Sequence, residues 1–266
     1  MEDNEHTKVP LSSRPYRPST LINQDIKDEI AVERRKVIFS AIFAGALVAV
    51  LWIVKLYEYV FHWNTRMMGL RPRTGEGLLG IITEPLVHGD MNHLISNSVP
   101  LFLLMMAIIY FYRGVAFRVF GWIWILTGIG VWIFARGHLH IGASGVVYGL
   151  ATFLAFSGFM RNDTRLMSIS LLVVFLYGGM VWGVLPLFQH ISWESHLMGA
   201  LAGVFCAIKY RHEGPQQKKY FEDEDDDDES FGLPPDENSG THSTLPHYGG
   251  IQYHYLPKED KNESKS

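Results

Sequence analysis

A chain of 266 residues with 23 basic and 27 acidic side chains carries a formal net charge of −4, and no basic patch is interleaved with aromatics; this excludes a nucleic-acid binder. Its single cysteine, Cys206, excludes an intrachain disulfide and a cysteine-rich metal site. The charges crowd into the two ends, while the middle, from Val37 to Ile208, is a series of apolar runs broken by short polar turns. That distribution predicts an all-α, polytopic membrane protein with two solvated tails.

Residues 1–36 include Glu2, Asp3, Glu5, Asp25, Asp28, Glu29 and Glu33 and lack an early apolar core, which fits neither a secretory signal peptide nor an acid-poor transit sequence. They read as a cytoplasmic arm. The cluster Glu33-Arg34-Arg35-Lys36 abuts the first apolar run, Val37 to Val54, and basic residues there predict that the N-terminus stays on the cytoplasmic side. At the far end of that run Lys55, Tyr57, Glu58, Tyr59 and Trp63 read as an interfacial zone rather than a buried ion pair. From His62 to Asp90 polar and apolar residues alternate too often for a span, so this segment is expected in or on the outer interface.

Five more apolar runs follow: His93 to Tyr112, Val119 to Ala135, Gly142 to Met160, Leu166 to about Leu187, and Ser195 to Tyr210. With six crossings, residues 37–210 form the membrane domain and both termini share one side. Arg113, Arg118, Arg161, Arg165, Lys209 and Arg211 then all fall with the cytoplasmic arm, as the positive-inside bias requires. A compact chain without an organelle presequence reads as a bacterial inner-membrane protein. Residues 211–266, with the acidic run Glu222 to Glu229 and a Pro-, Gly-, Ser- and Asn-rich remainder, cannot bury a core and are expected to form a disordered cytoplasmic tail.

This topology brings three chemistry-bearing positions to one depth, the outer ends of the second, fourth and sixth spans. Gly142-Ala143-Ser144-Gly145 is a small-residue turn running into a helix start, which holds a hydroxyl clear of its backbone beside free N–H groups and the positive end of the helix dipole. Serine needs a base, and histidine has the pKa for that work near neutrality. His196 is the candidate, because Gly199 and Gly203 follow it at a spacing of four, as Gly145 and Gly149 follow Ser144; two small-residue faces permit close helix contact. In the cluster from His88 to Asn97, His93 and Asn97 lie four apart on one helix face, and with the Ser144 N–H they supply donors for an oxyanion. Water is expected to reach Ser144 through a polar pocket containing His88, His93, Asn97 and His196. His138 and His140 form the tempting metal pair, but neither a cysteine nor a helical His-Glu-x-x-His accompanies them, so no metal or cofactor is expected.

His93-x-x-x-Asn97, Gly142-x-Ser144-Gly145 and His196-x-x-Gly199-x-x-x-Gly203, in this order on the second, fourth and sixth spans, resemble the rhomboid family of intramembrane serine proteases. Gly69-Leu70-Arg71-Pro72-Arg73 and the run from Leu78 to His93 are similar to that family's first outer loop, and the resemblance covers about Val37 to Tyr210. It implies a six-helix rhomboid-like bundle and a Ser-His dyad without an aspartate: Ser144 as nucleophile, His196 as base, Tyr148 stacked on the base, and His93 with Asn97 lining the oxyanion hole. It also implies single-span membrane proteins as substrates, cut near the outer face, with entry gated by the fifth helix and the loop after it. Trp63-Asn64-Thr65-Arg66 only loosely matches the family's Trp-Arg pair. The competing readings are a noncatalytic rhomboid-like escort, which would lack the serine or the histidine, and a small transporter, which would carry acidic residues within its spans or a repeated half.

Overall fold

The computed structural model describes residues 19–161, 163–187 and 192–215. Residues 1–18, His190 and the acidic run from Glu222 lie outside the described residues. The seven α-helices described are α1 (Ser19–Phe61), α2 (Gly77–Thr83), α3 (Met91–Phe111), α4 (Ala116–Phe134), α5 (Ser144–Arg161), α6 (Thr164–Tyr177) and α7 (Trp193–Lys209). The only β-pairing among the described residues is an isolated antiparallel bridge between Leu70 and His140, both outside the helices. Among the described residues four helical stretches are long and apolar enough to cross a membrane: Ile26–Phe61, Met91–Phe111, Ala116–Phe134 and Thr164–Val184. The chain is an integral membrane protein built from helices. α5 and α7, with 18 and 17 residues, fall just short of that measure, α5 through its glycines, serines and terminal arginine and α7 through its length.

α5 is the axis. Its residues are mostly buried, Leu150, Phe153 and Leu154 completely, among Leu94, Leu101, Met105 and Ile108 of α3, Val119 and Ile123 of α4, and Ala202 and Cys206 of α7. The α5–α7 contact is drawn close by the glycines: a Cβ on Gly199 would overlap the Gly145 carbonyl oxygen, and one on Gly203 the Gly149 carbonyl oxygen. Both predicted small-residue faces therefore meet each other. Gly158 plays the same part against α6, where a side chain would overlap Ser170 Oγ and the Leu166 carbonyl. On the outside, Phe175, Leu176 and Trp182 near α6, and Ile42 and Ile53 on α1, expose their apolar side chains, as a lipid-facing surface does.

Four local differences from the sequence reading have physical causes. α1 continues through Ser19–Lys36 and on to Phe61, so the later half of the expected arm is helical; at 43 residues it is roughly 65 Å long, twice a bilayer core. Lys55 and Glu58 are a partly buried pair at 3.2 Å, not simple interfacial anchors. Lys55 Nζ also donates to the His88 carbonyl at 3.1 Å, and Glu58 accepts from Thr65 Oγ1 at 2.8 Å, so the pair ties α1 to the segment between α1 and α3. The fifth predicted span is α-helical only to Tyr177, then tightens into a 3-10 helix over Gly178–Val184, because Gly178, Gly179 and Gly183 weaken the α form.

The fourth difference is Arg161, read as one of the charges of a short turn on the cytoplasmic side; its side chain is buried. Its Nε donates to Ser157 Oγ at 3.0 Å, its other nitrogens to the carbonyls of Tyr210 and Pro215, and its guanidinium lies 5.4 Å from the centroid of the Tyr112 ring. It gathers the ends of α3, α5 and α7. Arg161→Leu leaves those acceptors without a partner and is expected to lower stability by about 2 kcal/mol, with Arg161→Lys recovering part of it; thermal unfolding in detergent reads the difference.

The segment between α1 and α3 leans on α4. Trp124 Nε1 donates to the Ile82 carbonyl at 3.0 Å, Trp132 Nε1 to Thr74 at 3.0 Å, and Arg73 Nη1 to Ala135 at 2.8 Å, while a Cβ on Gly128 would crowd the Ile81 carbonyl. Met67, Leu78, Leu79 and Ile82 remain exposed, as expected for a segment at an interface.

Candidate active site

α5 begins at Ser144. The first helical N–H bonded across this boundary is that of Val147, to the Ala143 carbonyl at 3.0 Å, which leaves the N–H groups of Ser144, Gly145 and Val146 without acceptors in their own helix. Gly142, at φ +110, turns the chain into that start, and it also makes room: a Cβ there would lie 2.6 Å from His93 Cε1 and 3.7 Å from Asn97 Nδ2. Only glycine satisfies both the backbone and the neighbour. The His93 ring and the Asn97 amide accordingly stand against the turn that presents Ser144.

Ser144 Oγ is 2.9 Å from His196 Nε2. On its other side the ring places Nδ1 2.9 Å from the Gly183 carbonyl oxygen. A carbonyl only accepts, so Nδ1 carries the proton and Nε2 presents its lone pair to the serine. The Tyr148 ring stacks on the imidazole with centroids 4.1 Å apart and an interplanar angle of 7°, and its hydroxyl donates to the Met180 carbonyl at 2.8 Å. The 3-10 turn after α6 thus supplies a backbone acceptor to both the imidazole and its stacking partner. Sequence reading missed Gly183 and Met180, whose contribution is a carbonyl that every residue has; the glycines interrupting an apolar run were the available signal. Tyr148→Phe keeps the stack and loses one hydrogen bond, so stability is expected to fall by about 1 kcal/mol, whereas Tyr148→Ala also removes the stacked ring and costs considerably more; thermal unfolding in detergent separates them.

His93 and Asn97 come from α3, whose first turn is capped by Asp90: its carboxylate accepts from the His93 N–H at 2.8 Å, which holds its pKa below the usual range. Asn97 Nδ2 donates to the His93 carbonyl at 3.0 Å and retains a second N–H. His88 sits behind this group. Its Nε2 accepts from the Ala143 N–H at 3.4 Å and its ring meets that of His93 edge-on, while burial and the nearby His93 push its pKa down to about 4, so it is a neutral support.

A cavity of about 720 Å³ opens onto Ser144, with His93, Asn97, Tyr148 and His196 in its walls and Arg66 and Arg136 toward its rim. His88 was expected in this cavity and is not in its lining: with 2% of its surface exposed, it is packed behind the Ala143 backbone. His140, which the sequence offered as half of a metal pair, has both ring nitrogens engaged, Nδ1 with Ser192 Oγ at 2.6 Å and Nε2 with the Arg136 carbonyl at 3.1 Å. Burial lowers its pKa. No group of three His, Cys, Asp or Glu side chains among the described residues is arranged to hold a metal. The Arg136 guanidinium forks onto the Glu194 carboxylate and lies over Trp193, joining the turn before α5 to the start of α7.

Residues 75–213, half of the chain, match the Rhomboid domain family. An uncharacterized protein of Mycobacterium tuberculosis is 36% identical over 183 residues, covering 64% of this chain and 74% of the relative. An uncharacterized protein of Mycobacterium leprae is 28% identical over 220 residues, 79% of this chain and 82% of its own length. A Bacillus subtilis protein named "Putative rhomboid protease YdcA" is 28% identical over 170 residues, 60% of this chain and 83% of its own. By its domain match and these relatives, the chain belongs to the rhomboid family.

Proposed function

We propose that this chain is an intramembrane serine endopeptidase that cleaves single-span membrane proteins near the outer face of the bilayer. The observation that carries this reading is the Ser144 Oγ to His196 Nε2 distance of 2.9 Å, with the opposite ring nitrogen on a carbonyl. As Ser144 Oγ attacks the scissile carbonyl carbon, its proton passes to Nε2 and the carbonyl π pair moves onto oxygen. The Ser144 N–H, the free Asn97 N–H and the His93 ring receive that oxyanion, each such donor being worth a few kcal/mol. Collapse breaks the C–N bond, and Nε2–H protonates the departing amine. Water entering through the cavity then gives its proton to Nε2 and attacks the acyl carbon; the C–Oγ bond breaks and Nε2–H returns the proton to Ser144 Oγ. No cofactor takes part.

Six helices cross the bilayer in this reading, α1 and α3 to α7 without α2, with both termini in the cytoplasm of a bacterial cell. At 1.5 Å per residue α5 and α7 reach about 26 Å, close to the hydrocarbon thickness. Clients with small, helix-breaking residues near their outer ends are cut best, because backbone tied up in helical hydrogen bonds cannot offer its carbonyl. The test is covalent labelling. A fluorophosphonate added to the purified, folded protein is expected to leave one adduct, mapped by peptide mass spectrometry to Ser144. An unlabelled folded protein, or an adduct elsewhere, rejects the enzyme and favours a noncatalytic escort.

A further inference from the structure

Glu84 is a buried acid that the cleavage chemistry does not use. It begins the short 3-10 turn Glu84–Leu86 just before α3 and is 2% exposed. Its Oε1 accepts from Ser195 Oγ at 2.9 Å, across 111 positions of chain, and its backbone carbonyl accepts from the Gly142 N–H at 3.0 Å. One residue therefore holds the position next to His196 and the turn that presents Ser144. Ser195 Oγ lies in the notch left by Gly145, where a Cβ would approach it to 2.6 Å, so this contact runs through the interface between α5 and α7. Ser195 is held from the other direction as well: its N–H donates to Ser192 Oγ at 3.4 Å, and Ser192 bonds His140.

We propose that Glu84 is a positioning residue of the dyad, a brace that sets the spacing of Ser144 and His196 while its carboxyl is protonated and releases that spacing when the carboxyl ionises. The proposal rests on the protease reading and deepens it. Charged and titratable groups stand on the surrounding elements: Lys55 and Glu58 on α1, Glu76 before α2, His88, His93 on α3, Arg136 and His140 before α5, and Glu194 and His196 on α7. None offsets burial, which pushes the Glu84 pKa up to about 7 against only the opposing Ser195 hydrogen bond. The sign follows. Below that pH the neutral acid sits at little cost; above it the carboxylate has a single donor, Ser195 Oγ, and is a buried anion next to the residue that precedes His196.

The experiment compares the wild-type chain, Glu84→Gln and Glu84→Ala by fluorophosphonate labelling of Ser144 and by client cleavage from about pH 5.5 to about pH 9. The wild-type rate is expected to rise as the base loses its proton and to fall again above neutrality. Glu84→Gln accepts from Ser195 and cannot ionise, so it should reach a rate within about two-fold of the wild type and hold it as a plateau. Glu84→Ala should lose about ten-fold in kcat at every pH with KM unchanged. A falling limb retained in Glu84→Gln, or a wild-type rate in Glu84→Ala, overturns the brace. Infrared difference spectra between wild type and Glu84→Gln read the carboxyl without any turnover: a protonated carboxyl stretch that titrates near pH 7 is expected, and its absence overturns the proposal even if Ser144 labels. That band in a protein that never labels would leave the brace standing and withdraw the protease reading alone.

Discussion

Substituting alanine for His196 is expected to reduce client cleavage by about 10⁴- to 10⁶-fold, with the protein still folded and still able to bind its client. The imidazole is the only group within hydrogen-bonding distance of Ser144 Oγ among the described residues, and at 2.9 Å it needs no rearrangement to take the proton. In the proposed mechanism the hydroxyl without it attacks as a neutral alcohol, and the departing amine has no acid. Ser144→Ala is expected to cost about as much, and the double variant no more than either alone, since the pair acts as a unit. What survives is the contribution of His93, Asn97 and the Ser144 N–H to binding and polarising the carbonyl. Rates should be read by single-turnover cleavage in proteoliposomes. A His196→Ala protein within ten-fold of wild type, or a double variant much slower than each single one, would mean that another base serves Ser144.

Much of this arrangement was legible in the sequence because it is carried by side-chain identity at fixed spacing. The runs around Leu101, Ile123, Leu150 and Val173 are apolar enough to mark helices, and Gly142, Ser144, His93, Asn97 and His196 stand at helix starts where hydroxyl, imidazole and amide have few other uses. Gly145, Gly149, Gly199 and Gly203 signalled the contact that brings two of them together, and that contact exists. What remained hidden has no residue-type signature. The carbonyl that orients His196 belongs to Gly183, and any residue has a carbonyl. Lys55 and Glu58 show the same spacing whether they face headgroups or, as here, fasten α1 to the His88 backbone. Arg161 at a helix end follows the pattern of a solvated charge, and only the convergence of Ser157, Tyr210 and Pro215 makes burial affordable in energy. Glu84 lies between a threonine and a proline in what reads as an outer loop, and its partner Ser195 is 111 positions away.

The second large effect concerns the spacing itself, and it is tested by adding the same methyl group to two glycines. Gly199→Ala places a Cβ inside the Gly145 carbonyl oxygen, and the obstacle is backbone, which cannot rotate aside. α5 and α7 must separate, which disturbs the most extensive helix contact in the bundle and pulls Ser144 away from His196. A loss of about 3 kcal/mol in stability is expected, together with a fall in cleavage of at least about 10²-fold, because misplacement of a dyad by an ångström costs that much. Gly121→Ala is the control. It lies inside α4, has open space where its Cβ would go, and should gain up to about 1 kcal/mol from the better helix former. Thermal unfolding in one detergent should therefore move the two midpoints in opposite directions. If Gly199→Ala unfolds with the wild-type midpoint and cleaves at the wild-type rate, the two helices do not touch along their glycine faces, and the 2.9 Å approach of hydroxyl to imidazole loses its structural cause.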